Sequence, residues 1–196
     1  MKMELIINDC YDLAKAEIKK YGLPTTVHFN LSLLKAIELS EKIGANTDLV
    51  KIGTTLMDLK LGQAFKENRL KDHVRMSSEA AKEYLKDRLN EIQFNIVVNC
   101  IEAHHGKIDF QTIEAEICAN ADCYRFIHPL GVVTYLGTLG KRELPTLEFI
   151  NQAENKLDEK WNILTLKEAK DELSVFYKNL KQLFSEAKSI YKNIQV

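Results

Sequence analysis

Interruptions are rare in this sequence, and their rarity narrows the folds open to it. The chain has three prolines, at positions 24, 129 and 145, and eight glycines in 196 residues. Between them run stretches rich in Leu, Lys, Glu and Ala, the residues that give up least on entering a helix. With so few breakers, the sequence predicts an all-α protein.

The breakers and caps also divide the chain. Asn8 or Asp9 can cap a first helix through about Lys20, with Gly22 and Pro24 as its stop. A second helix begins at Thr25 or Thr26 and runs to Ile43, with Leu31, Leu34 and Ile37 on one stripe and His28 in its first turn. Asn46 or Thr47 caps a third, whose buried positions are Leu49, Ile52, Leu56 and Leu59 and which ends near Asp58. Lys60 to Asp72 reads as a polar connector, and Ser77 or Ser78 as the cap of a helix through Arg88. Further helices are expected from about Glu91 to His105 and from Thr112 to Ile127. Val132 to Leu136 has strand propensity, but in so helical a chain the stretch 130–140 is read as helix. Pro145 suits the first position of a helix to about Trp161.

The last helix opens on a capping box, Thr165 to Glu168. Its apolar positions Leu166, Ala169, Leu173, Phe176, Leu180, Leu183, Ala187, Ile190 and Ile194 alternate steps of three and four, a heptad seam. Such a seam suits packing along the body of the protein or a homodimer through 166–194. The expected architecture is one helical domain over 1–196, with a core at about 25–130 and a helical extension at about 145–196.

Composition bears on partners. The charged fraction is 28% and the net charge −1, so no global field draws the protein to DNA or to an anionic membrane. No stretch reaches the roughly 20 apolar residues of a membrane span, and the N-terminus lacks a signal pattern, so a cytoplasmic protein is expected. Cys10, Cys100, Cys118 and Cys123 form no CxxC pair and are expected to be free thiols.

Four of the five histidines and two notable aspartates fall between residues 28 and 122. Singly, each has an ordinary reading, as a hydrogen-bonded helix histidine or a capping aspartate. As a set on the ends of successive helices, His28, Asp58, His73, His104, His105 and Asp122 read as a metal site. Imidazole with carboxylate suits Mn, Fe, Ni or Zn, and carboxylate with water suits Mg. Consecutive helical residues point about 100° apart, so His104 and His105 are expected to serve an ion unequally.

The order of these residues resembles the HD superfamily of metal-dependent phosphohydrolases, whose pattern is a His, an adjacent His-Asp pair and a distant Asp. His28-Phe-Asn-Leu-Ser-Leu-Leu is similar to its first-His helix, Thr54-Thr-Leu-Met-Asp58 to the approach to the His-Asp pair, and His73-Val-Arg-Met-Ser-Ser to the third-His stretch. Ile101-Glu-Ala-His-His-Gly is similar to its His-His helix end, and Asn120-Ala-Asp122 to its final Asp. The resemblance spans about residues 25–127. It implies an HD-like helical bundle with a long C-terminal helix, and one or two divalent ions. His28, Asp58 and Asp122 would hold the first ion; His73, His104 and His105 would build or line a second site, with Asp58 as bridge. It further implies hydrolysis of a phosphate monoester or nucleotide, with Asp58 and His73 as the catalytic pair.

One position departs from the pattern. Met57 stands where the superfamily has the histidine of the His-Asp pair. A thioether is a poor ligand for Mg or Mn. Either the remaining ligands hold the ion and hydrolysis continues, or the domain is a degenerate HD-like binding or regulatory module.

Overall fold

A helix buried along most of its length must be covered on most of its faces, and residues 47–56 are such a helix, with Asp48 and Lys51 left at the surface. A computed structural model describes residues 2–194. It divides into two compact units, the first ending in sequence at Asp122 and the second beginning at Cys123. In the first, α1 (Lys2–Tyr21), α2 (Thr26–Ile43), α3 (Thr47–Leu56), α4 (Leu61–Lys66), a 3-10 turn (Leu70–Asp72), α5 (His73–Leu85) and α6 (Glu91–Ala103) follow in order. The start of α7 (Ile113–Ile127) completes it.

Helix α3 is the hub of this unit. It packs on α1, α2, α5 and α6, and Leu49, Val50, Ile52, Gly53, Thr54, Thr55 and Leu56 are all buried. Its start is set by Asn46, whose side chain accepts the Leu49 N–H. At its middle, Gly53 lies against α6 so closely that a Cβ there would stand 2.4 Å from Cys100 Cβ. The core around it is built from Ile6, Cys10, Ala14 and Ile18 of α1, Phe29 of α2, and Val97 and Ile101 of α6.

The second unit contains the end of α7, α8 (Pro129–Gly140), α9 (Thr146–Ile163) and α10 (Lys167–Ile194). Helices α9 and α10 pack together. Trp161 and Tyr177 stack at 4.3 Å between ring centroids, and Lys181 bridges Glu154 (2.6 Å) and Asp158 (2.8 Å).

The all-α expectation holds among the described residues, including the 130–140 stretch, which is α8. Four local expectations are corrected. The first helix starts at Lys2 rather than at Asn8, because its buried stripe already begins at Ile6. The polar connector contains α4, anchored by buried Ala64. Ser77 and Ser78 are not caps but buried residues inside α5, which begins at His73. In α10, Leu183 is 54% exposed and Phe184 6%, so the buried line leaves the heptad seam. An α-helix drifts by roughly 20° per heptad against a strict 3.5-residue repeat, enough to exchange neighbouring positions over a 28-residue helix. All four cysteines are free and buried, and no helix among the described residues is long and apolar enough to cross a membrane.

The two glycine environments give opposite expectations. Gly53→Ala meets the Cys100 side chain and should lower stability by about 1–3 kcal/mol, as overpacking does. Gly137→Ala, inside α8 with nothing within 4 Å of the added carbon, should raise it by about 0.5–1 kcal/mol. Urea unfolding of the two variants beside the parent checks both signs.

Candidate metal centre

The buried helix α3 ends in a charge. Met57 and Asp58 follow Leu56 with 2% and 7% of their surface exposed, and the segment is pinned to α5 where the Lys60 N–H donates to Ser77 Oγ at 3.0 Å. One turn back along the chain from Met57 and Asp58 lie Gly53 and Thr54, and Cys118 Sγ is 3.2 Å from Thr54 Oγ1. Cys100 and Cys118 in turn precede His104 and Asp122 by four residues, one helical turn. A layer of small residues and thiols thus underlies the polar groups. Burial pushes the Cys100 thiol well above its usual range, so it sits there as a neutral packing group.

Around Asp58 Oδ1 stand two imidazoles, each with Nε2 at 3.5 Å: His73 from the start of α5 and His104 from the end of α6. Their orientation is fixed by the main chain. His73 Nδ1 is 2.6 Å from the Leu70 carbonyl, and His104 Nδ1 is 2.6 Å from the Ile101 carbonyl. A carbonyl oxygen only accepts, so in both rings Nδ1 carries a proton and Nε2 is the nitrogen turned toward Asp58. His104 Nε2 is buried and has no hydrogen-bond partner among the described residues. His105, half-buried, places its Nε2 3.0 Å from His73 Nε2. Helix α6 ends at Ala103, and His104, its cap, and His105 follow in the turn, the first ring fully buried and the second half-buried, with ring centroids 4.2 Å apart.

Ligand nitrogens of His73, His104 and His105 all lie within 4.8 Å of one another. His28 is buried in the first turn of α2, where its N–H donates to Thr25 Oγ1 at 3.2 Å. Asp122 is buried in α7 and close enough for its charge to act on His73. The structure therefore brings Asp58 against His73 and His104, and His105 against the same two rings, with Asp122 in electrostatic reach of His73. Sequence reasoning missed Leu70 and Ile101, whose contribution is a backbone carbonyl and leaves no mark on residue type. It also missed Glu102, which accepts from Ser78 Oγ and Lys82 Nζ, both at 2.6 Å, and joins α5 to α6. Between the polar connector and the start of α5, Arg69 pairs with Glu67 and Asp72, and Arg75 with Asp72 and Glu79, an exposed network worth little in stability.

The donor set fits a divalent ion. Two ligands on one tetrahedral zinc, with bonds of about 2.0–2.2 Å, stand about 3.3–3.6 Å apart. The contacts here are 3.0 Å between His73 and His105 and 3.5 Å from Asp58 to each of His73 and His104. The hydrogen bonds from Nδ1 to backbone carbonyls are the outer-shell contacts that fix ligand histidines in metalloproteins.

Burial lowers the His73 pKa below its ordinary 6.5, with the Asp58 charge opposing that shift in part. The unfolded chain therefore binds a proton that the folded one excludes. The stabilising contribution is complete above pH 6.5 and is lost as pH falls through the lower folded value. Thermal unfolding of chelator-treated protein between pH 8 and 5 should show stability declining below that point, with a shallower decline in His73→Asn.

No protein-family model matches the chain. Over 91 residues, 46% of its length, it is 33% identical to the Ribonuclease Y of Finegoldia magna. Over 174 residues, 89% of its length, it is 28% identical to the Ribonuclease Y of Treponema denticola. The aligned regions are 16% and 31% of those relatives, so the chain spans a third or less of their length. Among solved structures, a predicted HD superfamily hydrolase from an uncultured Thermotogales bacterium superposes with a TM-score of 0.66, covering 94% of this chain and 92% of that one at 13% identity. At that identity the likeness is one of fold. The chain thus has the fold of that predicted HD superfamily hydrolase.

Proposed function

We propose that this protein is a metal-dependent phosphohydrolase of the HD type, acting on a phosphate monoester or nucleotide. The observation that carries this reading is the convergence of two tautomer-fixed imidazoles on one buried carboxylate. His28, Asp58, His73, His104, His105 and Asp122 are the residues assigned to the ion or ions. A divalent ion bound there supplies a polarised phosphoryl oxygen and a water acidic enough to act near neutral pH. Asp58 anchors the ion with a negative charge that burial keeps from being screened. His73 and His104 bring nitrogen ligands whose direction is set before binding, so little ordering remains to be done when the ion arrives. His105, the half-buried ring next to fully buried His104, marks the side open to a substrate.

A second reading is favoured by Met57. The thioether takes the place of a ligand, which suits a domain that binds a phosphorylated ligand without turning it over. The two readings part on product formation. Metal analysis of the purified protein and of Asp58→Ala, followed by a screen of phosphate monoesters, nucleotides and short RNA, separates them; RNA is included because of the relatives' name. The enzyme reading expects a divalent ion that is lost in Asp58→Ala, with hydrolysis abolished by chelation and restored by adding metal back. Ligand-induced stabilisation without product supports the module, and absence of any bound ion overturns the enzyme.

A further inference from the structure

Alone among the described helices, α8 (Pro129–Gly140) carries no charged side chain, in a chain whose residues are 28% charged. One side of it packs within the second unit. Gly131 lies against the end of α7, where a Cβ would stand 2.5 Å from the Tyr124 carbonyl oxygen and 2.6 Å from that of Arg125, and Val132 and Leu139 are buried. The other side is uncovered. Leu130 is 52% and Val133 69% exposed, and a Cβ at Gly137 or Gly140 would meet nothing within 4 Å. Positions 130, 133, 137 and 140 follow at steps of three and four, so they share one face about 15 Å long.

We propose that a second copy of this chain docks on that face, the two α8 helices lying antiparallel about a two-fold axis. Docking of this kind requires nothing of the metal reading above. The sizes along the face select this occupant. Bulk is gathered at one end, in Leu130 and Val133, and room at the other, at Gly137 and Gly140. An antiparallel copy lays the bulky end of each helix over the glycine end of the other, twice by symmetry, and lets the two backbones approach closely. A parallel copy would set Val133 against Val133 and glycine against glycine, a collision at one end and a void at the other.

Charge selects the same occupant. A charged group brought against this face would lose its water and gain no partner. Whatever covers the face must therefore be uncharged over the same length, a condition that α8 meets for itself. In α10, Leu183, Ile190 and Ile194 are exposed as well, but the exposed Glu186 stands among them, within a turn of both Leu183 and Ile190. The α8 face is small beside the roughly 800 Å² that each partner of a standard interface buries, so the dimer is expected to be reversible and concentration-dependent.

Sedimentation equilibrium of the full chain from about 10 μM to about 1 mM should show monomer and dimer with no larger species, because a two-fold contact closes on itself. Val133→Glu should leave monomer alone. Gly137→Ala should weaken association by at least about tenfold, although it strengthens the isolated helix. Leu183→Glu, on α10, should dimerise as the parent does. In the parent, the methyl signals of Leu130 and Val133 should shift on dilution, while those of Leu5 and Ile92, exposed on other helices, stay in place. A parent that remains monomeric to the top of the range overturns the inference, whether or not vesicles of phosphatidylcholine and phosphatidylglycerol take up the face instead. So does a dimer that survives Val133→Glu, is indifferent to Gly137→Ala, or is lost only in Leu183→Glu. Val133 and Leu183 are both more than half exposed, so neither variant is expected to unfold, and the dilution shifts are read on the parent protein in any case.

Discussion

Everything in the first unit depends on burying a helix that ends in a carboxylate. Helix α3 is surrounded by α1, α2, α5 and α6, and its apolar faces supply the favourable area term that holds these helices together. The same packing carries Asp58 out of water, where an isolated carboxylate is costly. Two imidazoles stand 3.5 Å from that carboxylate, and positive charge among these groups offsets part of that cost. The polar end of α3 is therefore stabilised by whatever positive charge resides among these groups. Stability and function draw on the same few atoms.

The layer beneath the site shows how its geometry is held. Gly53, Thr54, Cys100 and Cys118 meet where α3 crosses α6 and α7, one turn before Met57, Asp58, His104 and Asp122. Bulk at any of these positions would move a ligand-bearing helix end along or away from its neighbours. The cysteines are small, fully buried and chemically quiet, and their part is to let three helices approach closely.

Much of this was legible in the sequence. The helical class follows from the scarcity of breakers, and the 130–140 stretch obeyed its surroundings rather than its strand propensity. The candidate site residues could be listed in order because histidine and aspartate reveal themselves by type. What could not be read is direction. Which ring nitrogen faces inward depends on the Leu70 and Ile101 carbonyls, and every residue has a carbonyl. Ser77 and Ser78 carry the signature of a cap, yet their hydroxyls serve Lys60 and Glu102 from inside α5. Leu183 and Phe184 are adjacent apolar residues, and only the accumulated twist of a long helix decides between them.

The use of carbonyls to aim the histidines affects how such a site changes over generations. A side-chain acceptor can be erased by one codon change; a main-chain oxygen at Leu70 or Ile101 survives any substitution that leaves the local backbone in place. Drift can therefore delete a side-chain donor outright, but it has little purchase on the aim of the rings that remain. Lineages carrying this scaffold would be expected to vary in how many donors they keep while preserving the direction in which the surviving ones point.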